Sequence, residues 1–349
     1  MRSTSNRAAR KLRILVLMHE DFVPPESIEG LSHKEYAPFK TEFDVVATLE
    51  ELGHEVRPLG IGADLGVVRA AIREWKPHIA FNLLEEFDGV GVYESHMVAY
   101  LELMRVPYTG CNPQGLTLAH DKALSKKILS YHRIKVPDFA VFAMGRSARR
   151  PRRLGFPLFV KSTTEEGSIG ISQASIVHDD KKLADRVEYI HHELGTDAIA
   201  EQYIQGRELY VAVLGNLRLQ TLPIWELVFD KLPPGAPRIA TAKVKWDLDY
   251  QKKTGVKTRA AKDLSDDLKR RIVRLCKRIY RALNLSGYAR VDLRLTSDSE
   301  VYVLEANPNP QLSYGEDFAE SAHKAGIPYE ALLQRILNLG LCYRAEWKV

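Results

Sequence analysis

Apolar and polar positions divide the chain into short runs of two kinds. Ile14-Leu15-Val16-Leu17-Met18 is continuously apolar, the pattern of a parallel strand buried on both faces. Phe39, Phe43, Val46, Leu49 and Leu52 then recur at three- and four-residue spacings. That spacing predicts an amphipathic helix, closed by Gly53. Residues 78–84 read as a further buried strand and residues 93–104 as a helix. Val106-Pro107-Tyr108-Thr109-Gly110 re-enters a strand and turn. Strands alternating with helices predict a parallel α/β sheet.

The pattern changes after a Gly, Ser, Arg and Pro cluster at residues 145–153. Residues 158–161 predict a short strand, followed by a Thr/Glu/Gly/Ser turn. Strands at residues 198–202 and 208–215 flank Gln205-Gly206. Residues 231–262 form a long polar, basic stretch with three prolines and two glycines, and loops this long are functional or disordered. Leu264, Leu268, Ile272, Leu275, Ile279 and Leu283 give the cleanest helix in the chain. Strands at residues 288–295 and 301–305 pair across Ser297-Asp298-Ser299.

A length of 349 residues predicts two or three domains, and 45% hydrophobic with 27% charged residues is a globular composition. The net charge of +5 is a mild excess that argues against a nucleic-acid module and suits a site for a polyanion such as a nucleotide. Three widely spaced cysteines exclude a disulfide framework and point to a reducing compartment, the cytoplasm. No apolar run reaches the roughly 18 residues of a membrane helix. Residues 1–13 are Arg-rich and lack the apolar core of a secretory signal, so they read as a disordered, solvated tail.

The strongest chemical constellation is Ala289-Arg290-Val291-Asp292 followed by Leu304-Glu305-Ala306-Asn307. Alternation puts Arg290 and Asp292 on one strand face, and Glu305 and Asn307 on one face of the next. If the strands pair, an Asp, a Glu and an Asn amide oxygen converge beside an Arg, a hard-oxygen set suited to magnesium and nucleotide phosphates. The plain alternative is a solvent-facing strand pair. Lys161 ends a strand and leads into Ser-Thr-Thr-Glu-Glu-Gly-Ser-Ile-Gly170, a loop whose N–H groups suit phosphates although it is no Walker A sequence. Glu201 and Glu208 around Gly206 are carboxylates able to accept from an adenine amine or ribose hydroxyls.

Taken in order, these motifs resemble the ATP-grasp superfamily, specifically the D-alanine–D-alanine ligase-like carboxylate–amine ligases. The resemblance runs from about Ile14 to Leu339. Asn82-Leu83-Leu84 and Pro107-Tyr108-Thr109-Gly110 resemble that family's first domain. Asp121-Lys122-Ala123-Leu124-Ser125-Lys126 resembles its Asp-Lys-x-x-x-Lys helix start, whose first lysine contacts the nucleotide phosphates. Lys161 matches its second phosphate-contacting lysine, and the segment from Glu165 through Gly167 and Ser168 to Gly170 its phosphate loop. Glu201, Tyr203 and Ile204 match the hinge around adenine, and Glu208 the ribose carboxylate. Val244-Lys245-Trp246 resembles the mobile loop, with Lys243 as a competing register. Arg290 matches the transition-state arginine, and Asp292, Glu305 and Asn307 the magnesium ligands.

The resemblance implies an ATP-dependent ligase that forms an amide through an acyl phosphate. It implies ATP and two magnesium ions, with manganese able to substitute. It also implies a homodimer and small-molecule carboxylate and amine substrates, with neither nucleic acid nor membrane as partner. The basic stretch at 231–262 would close as a lid. The expected layout is a tail (1–13), an α/β substrate domain (14–119), and two α+β lobes (120–205 and 206–349) sandwiching ATP.

Both substrate halves depart from the family pattern. The family's substrate glutamate has no single counterpart, and Glu20 or Glu26 would serve. Its histidine and Gly-Glu-Asp-Gly segment becomes Glu85-Glu86-Phe87-Asp88-Gly89-Val90-Gly91. In the phosphate loop, Gly167 stands for a serine and Glu166 for a glycine. Where the family receives the acceptor's carboxylate, this chain reads Gly315-Glu316-Asp317-Phe318, and Glu316 with Asp317 would repel a carboxylate. The expectation is an acceptor with a cationic group. The rival readings are D-alanine–D-alanine ligation itself and a nucleotide-binding protein without catalysis.

Overall fold

The computed structural model describes residues 11–232, 239–241, 243–244 and 247–345. The first of three sheets is parallel, with β1 (Arg13–His19) between β2 (Glu55–Ile61) and β3 (Ile79–Asn82). The apolar run is its central strand, with Ile14 to Met18 fully buried. Leu12 is already buried and β1 opens at Arg13, one residue ahead of the expected boundary, while most of the basic tail lies outside the described residues. Strand β2 is invisible in the hydrophobic pattern because Pro58 interrupts it and only Ile61 is buried. Its edge position resolves the conflict, since an edge strand leaves N–H groups unpaired and tolerates proline.

Helices α1 (Lys40–Glu51), α2 (Leu65–Trp75), α3 (Glu94–Leu103), α4 (Pro113–His120) and α5 (Lys122–Tyr131) accompany this sheet and lead out of it. The second sheet is antiparallel, in the order β4-β7-β5-β6: β4 (Phe139–Phe142), β7 (Ala198–Gln202), β5 (Leu158–Ser162) and β6 (Ile176–Val177). Leu183 and Val187 of α6 (Asp180–Tyr189) pack against Leu158, Val160, Ala198 and Ala200 in a core of this lobe's own.

The third sheet is also antiparallel and runs β11-β10-β8-β12-β13, with β9 (Gln220–Thr221) beside β8. Its strands are β8 (Arg207–Leu214), β10 (Trp225–Phe229), β11 (Val256–Ala260), β12 (Tyr288–Leu295) and β13 (Val301–Pro308). The cleanest expected helix is α7 (Asp266–Ala282), capped by the Ser265 hydroxyl, which accepts from the Leu268 N–H at 3.2 Å. Its Ile272, Cys276 and Ile279 bury one face of the sheet, against Val211, Val291 and Leu293. The opposite face is left for chemistry. The stretch expected as one long loop is partly structured: a helix at Leu248–Thr254 leads into β11, which pairs with β10. After α8 (Asp317–Lys324), the last helix α9 (Tyr329–Cys342) returns to the first sheet. There Leu332, Leu333 and Ile336 share a core with Ile14, Val16 and Val45. Among the described residues, no helix is long and apolar enough to cross a membrane.

The segment that follows the first sheet meets the third sheet at Gly287. Its φ is +68°, and a Cβ there would come within 2.4 Å of the Gly110 carbonyl oxygen. Backbone contacts backbone, so no side chain can yield. Gly287→Ala is therefore expected to cost at least about 2 kcal/mol, from a strained φ plus an overpacked contact, measured as a lower denaturant midpoint.

Candidate functional site

Asp121 caps α5, its carboxylate accepting from the N–H groups of Ala123 (2.9 Å) and Leu124 (2.8 Å). The cap sets Lys122 at the first helical position. The Lys122 ammonium crosses to the loop at residues 163–170 and donates to the Glu165 carbonyl (2.7 Å) and the Glu166 carboxylate (2.9 Å). In that loop Gly167, Ser168 and Gly170 all have positive φ, and such curled backbone forms anion-binding nests. The Ser168 hydroxyl donates to the Ala240 carbonyl at 2.9 Å, so the loop holds a residue of the expected lid. Lys245 lies outside the described residues, and Lys243 is exposed.

Lys161 leaves β5 buried and reaches two carboxylates, Glu305 at 3.3 Å and Glu201 at 3.6 Å. Burial opposes its charge, and the carboxylates of Glu201 and Glu305 outweigh burial, holding its pKa above the ordinary lysine value. A cleft opens between the second and third sheets, with Lys161 and Glu201 on one side and Asp292 and Glu305 on the other. Phe159, Ile171, Ile204 and Leu304 give it an apolar lining, and Tyr203 flanks them. Glu208 at its rim is buried, accepting from Arg294 (2.8 Å) and from the Tyr210 hydroxyl (2.9 Å).

The hairpin of β12 and β13 carries the far end. Asp292 lies directly opposite Glu305, and Arg290 opposite Asn307. Arg290 donates to both oxygens of Asp292, at 2.7 and 2.8 Å, and its guanidinium lies 4.7 Å from the Tyr210 ring centroid. Asp317, at the start of α8, adds a second negative charge within electrostatic reach of Arg290. Regular alternation from the core-facing Val303 would turn Glu305 and Asn307 into the helix-packed core. A β-bulge at Leu304 prevents this: Leu293 pairs with Val303, but the next residue, Asp292, pairs with Glu305. Leu304 and Glu305 consequently both line the cleft.

Two carboxylates facing each other across a ladder repel. With an amide oxygen alongside, they are also a hard-oxygen donor set that magnesium completes with phosphate and water. The Asn307 amide nitrogen is buried without a partner, and the amide's oxygen and nitrogen exchange by a half-turn. These residues fit a magnesium ion. Among the described residues, no group of three or more His, Cys, Asp or Glu side chains offers an alternative.

The substrate residues fare differently. Glu20 is exposed in the turn after β1, beside Gly62. Glu316 is exposed at the N-terminal flank of α8, within reach of Asp317 and Lys40. The hydrophobic pattern also misses the Arg294–Glu208 pair, the hydroxyl of Tyr210 and buried Glu94. The i, i+2, i+4 series Arg290-Asp292-Arg294 on one strand face was the available signal for Arg294. Glu94 opens α3 and accepts from the Asn309 amide at 2.7 Å, while His120 lies 3.2 Å away. Burial, with the charges of Glu85 and Glu166, pushes Glu94 up to about 8; burial, with Glu85 and Asp44, pushes Glu42 up to about 7. Both folded values lie above the unfolded one, so the protonated forms stabilise the fold. That contribution is complete below about 4.5 and is lost as pH rises through about 8. Glu94→Gln keeps an acceptor for Asn309 and is expected to flatten the fall in thermal midpoint across that window.

A parallel sheet followed by two antiparallel sheets, with a cleft between these two that is lined by buried lysine and carboxylate side chains, is the architecture of an ATP-grasp ligase. The D-ala D-ala ligase C-terminus profile matches residues 128–338, more than half of the chain. A D-alanine–D-alanine ligase of Desulforudis audaxviator is 31% identical over 89% of this chain and 95% of its own length. An uncharacterized protein, y4sG, of Sinorhizobium fredii is 32% identical over 84% of this chain and 85% of its own length. The D-alanine–D-alanine ligase of Bacillus anthracis in complex with ATP superposes with a TM-score of 0.72 at 26% identity, covering 95% of this chain and 97% of that one. The chain belongs to the D-alanine–D-alanine ligase family of ATP-dependent ligases.

Proposed function

We propose that the chain joins a small carboxylate to an amine, with magnesium held by Asp292, Glu305 and Asn307. The observation that carries this is the bulged hairpin, which puts the carboxylates of Asp292 and Glu305 on the wall of the cleft, opposite each other, with Asn307 two residues further along the strand. A substrate carboxylate oxygen attacks the γ-phosphorus of ATP, forming an acyl phosphate and releasing ADP. The amine nitrogen then attacks the acyl carbon, inorganic phosphate leaves, and the nitrogen gives up its proton. Lys122 and Lys161 neutralise phosphate oxygens, exchanging Glu166 and Glu305 for them. Glu201, Tyr203 and Ile204 frame the adenine, and Glu208 accepts from ribose hydroxyls. Bound magnesium supplies charge stabilisation across the phosphates. Arg290, its guanidinium held flat by Asp292 and Tyr210, stabilises the tetrahedral oxyanion. The lid, with Lys243 or Lys245, excludes water from the acyl phosphate.

The acceptor carries a cationic group that faces Glu316 and Asp317, while Glu20 serves the donor side. The second reading is ligation of D-alanine to D-alanine, favoured by the names of the relatives. The test is ADP release with ATP and magnesium against D-alanine, L-amino acids, β-amino acids, polyamines and dipeptides. Release driven best by a polyamine or a basic amino acid supports the first reading, and release by D-alanine alone supports the second. Absence of substrate-dependent release with ATP still bound would leave a nucleotide-binding protein. The assembly we propose is a homodimer, which sedimentation velocity tests.

A further inference from the structure

One side chain touches both halves of the nucleotide cleft, and the proposed reaction gives it no task. Lys126 lies one turn beyond Lys122 on α5 and is among the most deeply buried large side chains, with 1% of its surface exposed. Its ammonium donates to the Leu304 carbonyl at 2.5 Å and lies 3.4 Å from Glu201. Leu304 is the extra residue of the β13 bulge, whose carbonyl a regular ladder would have paired with the neighbouring strand. Glu201 is the buried hinge carboxylate on β7 of the other lobe. A single cation therefore fastens the bulge of one lobe to the hinge of the next.

We infer that Lys126 is a positioning residue that locks the Leu304 bulge, and through it the aim of Glu305 and Asn307, while orienting Glu201 toward the base. The inference rests on the proposed nucleotide and metal site. Burying an ammonium is costly unless it is paired and hydrogen-bonded, so a purely structural role would be served as well by an apolar residue. The two partners Lys126 holds are instead the extra backbone residue that redirects two proposed metal ligands and the carboxylate beside the adenine. Lys161 contacts the same Glu201 from the other side and also holds Glu305, so Glu201 sits between two lysines and keeps a partner when Lys126 is changed.

The test is calorimetric binding of a non-hydrolysable ATP analogue, with saturating magnesium and with EDTA, to the wild-type chain and to Lys126→Met. Residues that orient metal ligands typically change metal affinity by about 10–100-fold when replaced. The expected result is a loss of that size in the magnesium-dependent tightening of Lys126→Met, with a smaller loss in EDTA. If Lys126→Met does not fold, Lys126→Met/Glu201→Gln removes both buried charges and retains an acceptor oxygen at 201; the same loss is expected there. A magnesium-dependent tightening equal to wild type, whatever the thermal midpoint, would overturn the inference and leave the site reading intact. A wild-type chain whose analogue binding ignores magnesium would overturn the site reading and this inference with it.

Discussion

Asp292→Asn is expected to lower substrate-dependent ADP release by about a thousandfold while the chain stays folded. Metal charge stabilisation of several kcal/mol, at about 1.36 kcal/mol per tenfold, sets that size. The fold survives because asparagine keeps one acceptor oxygen for Arg290, and the guanidinium keeps its place over Tyr210. One lost charge-assisted bond costs about 1–3 kcal/mol. Asp292→Ala removes both acceptors and leaves the guanidinium, only 19% exposed, without its bidentate partner. That variant is expected to lose about 3–5 kcal/mol, so the two substitutions separate chemistry from folding. Glu305→Gln should behave like Asp292→Asn, because Lys161 still has Glu201. Activity of Asp292→Asn within about tenfold of wild type would mean that the hairpin carries no metal, since even one lost donor at a charge-developing site costs more.

Much of this was legible in the residue pattern, for physical reasons that differ from element to element. Strand β1 is central and buried on both faces, so five consecutive apolar residues announce it. Helix α7 covers one sheet face, so its apolar stripe repeats cleanly. Edge strands were not legible: β2 contains Pro58, and β11 reads Val-Lys-Thr-Arg-Ala with no residue fully buried. Neither needs a continuous apolar face, so neither leaves a hydrophobic signature. For Asp292, Glu305 and Asn307, the strand pairing that brings them together was legible, but the register that sets which face they take was not. It depends on the extra residue at Leu304, and periodicity carries no mark of where a ladder slips. Long-range partners were equally silent, because nothing local ties Glu94 to Asn309 or Lys122 to Glu166. The exposed Glu20 is the opposite case, a residue proposed from its place after β1 and found beside Gly62.

Arg294→Met is expected to lower stability by about 3–5 kcal/mol, because it strands the buried Glu208 carboxylate. The pair is tight, at 2.8 Å, with 6% and 9% of the two side chains exposed. The Tyr210 hydroxyl is then the remaining donor of the two that hold Glu208. ATP affinity should fall as well, since a carboxylate without its cation is no longer fixed in place beside the cleft. The double variant Arg294→Met/Glu208→Gln removes the stranded charge and should return most of the lost stability. It should not return nucleotide affinity: a hydrogen bond to a charged group is worth about 1.5–3 kcal/mol, so half-saturating ATP should stay raised by about tenfold or more. Neighbouring partners in one network are expected to be non-additive, and this sign of coupling follows from burial. If the two substitutions destabilise additively, Glu208 is not held by Arg294 in solution. If the double variant recovers ATP affinity together with stability, Glu208 shapes the cleft without touching the nucleotide.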